Sequence, residues 1–66
     1  MIKEYDVVRL KTGEEAIILE ILEEGVAYIV EINPADDDKS ETTSIRYTDI
    51  IGIVDEVRIV LVADAA

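Results

Sequence analysis

The chain has no cysteine, no histidine, no tryptophan and no phenylalanine, and only one proline and three glycines among its 66 residues. Each absence excludes something. Without cysteine there is no disulfide, no thiolate nucleophile and no soft metal ligand. Without histidine the commonest general base and the commonest zinc ligand are both missing. Little proline and glycine, in a chain that is 50% apolar, is not the composition of a disordered segment. Cationic residues are also scarce: six lysines and arginines stand against sixteen acids, a net charge of −10. Such a chain repels phosphate backbones and anionic lipid surfaces, which argues against nucleic acid and membrane and for a basic protein partner. Its longest apolar runs are far too short to cross a bilayer. Met1-Ile2-Lys3-Glu4 leads into charges rather than a signal sequence, so the expected compartment is the cytoplasm.

What is present points to a sheet. Valine and isoleucine outnumber leucine, and β-branched residues fit a pleated surface. They alternate in short runs broken by turn residues. The first strand spans residues 6–11, with Val8 and Leu10 inward. Thr12-Gly13-Glu14 is a turn in which Gly13 supplies positive φ. Residues 15–22 form the second strand. If Glu20 faces water, simple alternation turns Ile17, Leu19 and Ile21 inward and leaves Ala16 and Ile18 outside. Glu23-Glu24-Gly25 is a second turn. Residues 26–32 follow, with Tyr28, Val30 and Ile32 inward and Glu31 outward. A helix over 14–24 is the competing reading, because Ile17, Ile21 and Glu24 share helical spacing. Gly13 and Gly25 bracket a segment of strand length, which favours the sheet.

Asn33 to Glu41 is the one long polar stretch and reads as a loop. Thr42 to Arg46 is a fourth strand with Ile45 inward. Tyr47-Thr48-Asp49 suggests a single 3₁₀ turn, and Ile50 to Val54 a fifth strand. Five short meandering strands with a tight turn before the last make an all-β fold: a small, partly open SH3-like barrel. An extra C-terminal strand follows it. The barrel is expected over residues 1–56 and the apolar tail over 57–66. Within the tail, Val57, Ile59 and Leu61 alternate with Arg58, Val60 and Val62, so both faces are mainly apolar and ask for cover. Two readings stay open. The tail closes the chain's own sheet as a sixth strand, or it pairs with a second copy or another protein by strand addition.

The stretch EYDVVRLKTGEEAIILEILEEGVAYIVEI, residues 4–32, with TTSIRYTDI, residues 42–50, resembles a family of small bacterial domains of unknown function. The matching residues include Asp6, Val7, Val8 and Leu10 of the opening strand. Gly25, Ala27, Tyr28, Val30 and Glu31 match the third strand, and Tyr47, Asp49 and Ile50 the late turn. The resemblance implies an SH3-like barrel and carries no activity or catalytic residue. The first two strands are also distantly similar to a KOW segment of ribosomal and elongation proteins. Gly13, however, is followed by Glu14 and Glu15 where a nucleic-acid-binding version would carry basic residues.

The candidate sites are few. Asp36-Asp37-Asp38 with Glu41 is the densest carboxylate cluster. It lacks the alternating oxygen ligands, central glycine and terminal glutamate of a calcium loop, and reads as a solvated tip. Asp6 and Asp49, if placed at one end of the barrel, would form an acidic pair. Their other reading is that each accepts backbone hydrogen bonds in its own turn. Tyr28 belongs to the core, while Tyr5 and Tyr47 suggest a small exposed aromatic patch. Lys3, Arg9, Lys11 and Arg46 suggest an outer basic spot, offset by cross-strand pairing with Glu20 and Glu31. No nucleophile with a base, phosphate-cradling loop or cofactor fingerprint is found, so no catalytic, metal or cofactor residue is assigned. The expected role is a non-catalytic interaction module. Its candidate surface is Val57, Ile59, Val60, Leu61 and Val62, with Tyr5 and Tyr47. It would self-associate as a homo-oligomer or mask a basic protein, as antitoxin-like or immunity-like proteins do. A KOW-type nucleic-acid or ribosome-associated module is the alternative.

Overall fold

The computed structural model describes residues 2–54 and the backbone of residues 59 and 60. The described chain is a single antiparallel sheet with no α-helix. Its strands are β1 (Val7–Leu10), β2 (Glu15–Glu23), β3 (Ala27–Ile32), β4 (Glu41–Arg46), β5 (Ile50–Val54) and a two-residue β6 (Ile59–Val60). A 3₁₀ turn, Tyr47–Asp49, joins β4 to β5. The spatial order is β4-β3-β2-β1-β5-β6. The first four strands meander, and β5 returns to pair with β1 on its other side. That plan is the SH3-like, partly open barrel, with the sheet left unclosed.

Local chemistry fixes the turns. Gly13 closes the first hairpin at φ +94, its N–H donating to Leu10 O at 2.9 Å while Leu10 N–H donates to Glu14 O at 2.8 Å. Gly25 takes φ +76 in the second, where Val26 N–H donates to Glu23 O at 2.9 Å. Both positions lie in the left-handed region that glycine enters without a Cβ penalty. The 3₁₀ turn is held at its start by Asp49, whose Oδ2 accepts the Arg46 N–H at 3.0 Å.

The core contains Val8, Leu10, Ala16, Ile18, Tyr28, Val30, Ile45 and Ile50, joined by Ile2 from ahead of the first strand. Each large aliphatic side chain so buried contributes roughly 1.5–3 kcal/mol of transfer free energy. Tyr28 is only 1% exposed yet keeps its hydroxyl satisfied, accepting the Gly25 N–H at 3.0 Å. The inward faces of β1, β3 and β4 are those that alternation predicts.

On β2 the simple alternation fails. Ala16 and Ile18 are fully buried, while Ile17 and Leu19 are half-exposed on the other side. The cause is a bulge. Ile18 pairs with Val30 but Glu20 pairs with Ile29, so Leu19 is an extra residue with no partner on β3. A bulge inserts one residue and reverses the phase of the strand beyond it. Glu20 therefore faces water and Ile21 packs on the core, as alternation from Glu20 requires, whereas everything before Leu19 is inverted. Leu22, next to the core-facing Ile21, points outward by the same alternation and is 52% exposed; a second irregularity between Ile21 and Glu23 leaves it without a partner on β3.

Candidate functional site

Of the residues assigned to an interaction surface, Val57, Leu61 and Val62 lie outside the described residues. Ile59 and Val60 form β6 and pair within the chain, Val60 with Ile53 and Ile59 with Val54. Tyr5 is 68% exposed. Its N–H donates to Ile18 O at 2.7 Å, which fixes it at the mouth of β1 against β2. Tyr47 is half-buried against the core, and its N–H donates to Val26 O at 2.7 Å near the β2–β3 turn. The two tyrosines are thus anchored to different points of the sheet.

The acidic pair is separated. Asp6 precedes β1, while the Asp49 carbonyl accepts the Lys11 N–H just past its end, so about 15 Å of extended strand lies between them. Each carboxylate serves its own turn: Asp6 Oδ2 accepts the Lys3 N–H at 2.9 Å, as Asp49 does that of Arg46. Asp36, Asp37 and Asp38 are all exposed. The one side-chain hydrogen bond within that run is local, from Asp38 N–H to Asp36 Oδ1 at 3.1 Å. No group of three or more acidic side chains converges on a metal position among the described residues.

A groove of about 370 Å³ lies between the β1–β2 turn and the β3–β4 loop. It is lined by Arg9, Gly13, Glu14, Glu15, Asn33, Pro34, Ala35 and Asp36. The two walls are tied together. Asn33, itself in the left-handed region at φ +54, donates from Nδ2 to Glu14 Oε2 at 2.9 Å, and its N–H reaches Glu15 O at 2.8 Å. Arg9 lies across from Glu15 in register. Its Nη2 donates to Glu15 Oε2 at 2.8 Å and its Nη1 to Gly13 O at 3.0 Å, leaving Nε as a buried donor with no acceptor. The guanidinium is therefore committed to the protein itself. With side chains 30% and 45% exposed, the pair is worth at most about 1 kcal/mol. The expected partners of the arginines, Glu20 and Glu31, are not used: Glu31 accepts the Ser40 hydroxyl instead. The groove thus offers carboxylate oxygens and a short apolar wall, with no nucleophile among its lining residues. Sequence reasoning missed it because it arises where two distant turns meet.

The outer side of the sheet carries an unexpected row of aliphatics. Val7 pairs directly with Ile17, and Leu19 and Ile29 continue the row along β2 and β3. Its end at the β2–β3 turn is the more exposed, with Leu22 at 52% and Val26 at 47%. Comparison with protein-family models, with curated proteins and with solved structures finds no match to this chain. Among the described residues, no helix is long and apolar enough to cross a membrane.

Proposed function

We propose that the protein is a non-catalytic, cytoplasmic interaction module. Its acidic barrel self-associates through the C-terminal strand or masks a basic protein partner, in the manner of an antitoxin-like or immunity-like protein. The observation that carries this reading is the combination of surface apolar groups with uncompensated acid. Tyr5, Leu22, Val26 and Ile51 remain exposed on a barrel whose core is already filled. Arg9–Glu15 is the one salt bridge among the described residues, although the chain carries sixteen acids. Exposed apolar groups with a polar rim mark contact surfaces, and the sign of the rim selects the partner. Arg9, which a KOW-type site would present to phosphate, is engaged by Glu15 and the Gly13 carbonyl.

The test is the solution mass of the intact protein and of an Ile59→Asp/Leu61→Asp variant by light scattering, beside affinity capture from native lysate with nuclease. A multimer that falls to monomer in the folded variant supports the strand-mediated reading. A stoichiometric basic protein that survives nuclease and salt supports the masking one. A monomer that retains nothing sinks both, and a nuclease-sensitive set of ribosomal proteins would restore the KOW alternative.

A further inference from the structure

The backbone at Tyr5 is in the wrong region for its side chain. Tyr5 sits at φ +69, in a turn closed by Asp6 N–H to Lys3 O at 3.1 Å. Glycine and asparagine occupy that region readily, and a bulky residue there is an outlier. Strain of this kind persists when the surroundings impose it or when the side chain is needed. Burial does not explain the tyrosine, because 68% of it faces solvent.

Its neighbourhood does. The β1–β2 register pairs Val7 with Ile17 and Val8 with Ala16. Ahead of Val7 that register breaks: Tyr5 N–H donates to Ile18 O at 2.7 Å while Ile18 N–H donates to Asp6 O at 2.9 Å, so Tyr5 and Asp6 together face Ile18, one residue from the bulged Leu19 of β2. The outward aliphatic row begins there and runs through Val7, Ile17 and Ile29 toward Leu22. The acids at its margin are Glu4, Glu20 and Glu23, all exposed, with Glu31 paired to Ile17 in register. The basic residues near the face are Lys3, exposed beside Glu4, Arg9, on the same side of β1 as Val7 and neutralised by Glu15, and Arg46, across from Ala27 at the Leu22 end. An aromatic anchor beside an apolar strip with a mainly acidic rim has the anatomy of a protein contact.

We infer that this outer face of β1–β3, anchored by Tyr5, docks a basic segment of another protein that carries apolar side chains between cationic ones. The inference rests on the masking form of the function above and gives it a location. A second copy of this chain is the poorer occupant, because it would bring like charge to the acidic rim.

The probe is a ten-residue peptide alternating lysine and leucine, with a lysine–serine alternating peptide as control. Both are titrated into 15N-labelled protein and followed by amide shifts. The expected result is saturable shifts confined to Tyr5–Ile29. The serine peptide should bind at least about tenfold more weakly. Tyr5→Asn should weaken the leucine peptide by about tenfold or more while raising the melting temperature by about 4 °C, since asparagine suits the left-handed turn. A purely structural tyrosine would not lose binding as the fold gains stability. The inference is overturned if neither peptide shifts the amides, if both act alike with the Asp36–Asp38 loop responding equally, or if Tyr5→Asn binds as the parent does. Shifts confined to β5 and beyond would remove this location and leave the module reading intact.

Discussion

The bulge at Leu19 can be tested by a pair of neighbouring substitutions. Ile17 and Ile18 differ by one position and are chemically identical, yet the fold buries Ile18 completely and leaves Ile17 half-exposed on the outer face. At roughly 0.05–0.15 kcal/mol per residue, a chain of 66 residues has a total stability of about 3–10 kcal/mol. Ile18→Ala removes a side chain enclosed by the core and costs about 2–5 kcal/mol, enough to unfold the weaker end of that range. Ile18→Val is the gentler probe, at about 1 kcal/mol. Ile17→Val should cost a few tenths, and Ile17→Ala about 1 kcal/mol, because water already reaches that side chain. Urea unfolding followed by far-ultraviolet circular dichroism reads these differences directly. With an m-value of about 1 kcal/mol/M for so small a chain, Ile18→Val shifts the midpoint by about 1 M and Ile17→Val by well under half of that. The reverse order would place Ile17 in the core, remove the bulge, and restore unbroken alternation from Glu20 back to Glu15.

Three further outcomes follow from the same geometry. Tyr28→Phe keeps the buried ring but deprives the Gly25 N–H of its acceptor, so thermal melts should show a loss of about 1 kcal/mol. Gly25→Ala should cost about 1–2 kcal/mol in urea titration, although a Cβ there would meet nothing within 4 Å; a neutral result would show that the turn does not need its left-handed backbone. Replacing Asp36, Asp37 and Asp38 together by asparagine should leave the melting temperature unchanged or slightly higher, because it relieves like-charge repulsion and keeps the Asp36 side-chain acceptor. Loss of a calcium-dependent stabilisation in that variant would instead reveal a cation site.

Much of this molecule is legible without coordinates, and the legible part is local. Gly13 and Gly25 mark turns because their neighbours form strands and only glycine takes the required φ freely. Val8, Leu10, Tyr28, Val30 and Ile45 fall inward because each lies on a strand whose alternation runs unbroken. Tyr47-Thr48-Asp49 is recognisable as a 3₁₀ turn because a short acid can cap its own backbone. Tyr5 was visible as a surface aromatic. Its left-handed backbone was not, since nothing in the composition of Lys3 to Asp6 demands it.

What tertiary structure decided is whatever depends on a partner strand or a distant turn. The phase of β2 reverses at Leu19 because a bulge exists only relative to the strand across from it, and Glu15 to Leu22 reads identically with or without one. Ile2 is buried because the chain ahead of β1 folds back over the core, a long-range placement with no periodic signal. Arg9 chooses Glu15 over Glu20 or Glu31 because the β1–β2 register sets them face to face. Asp6 and Asp49 part company because β5 returns antiparallel along β1. Residue order fixed the strands and turns through short-range sterics and alternation, while the faces, the groove and the outer aliphatic row came from register, which no single segment carries.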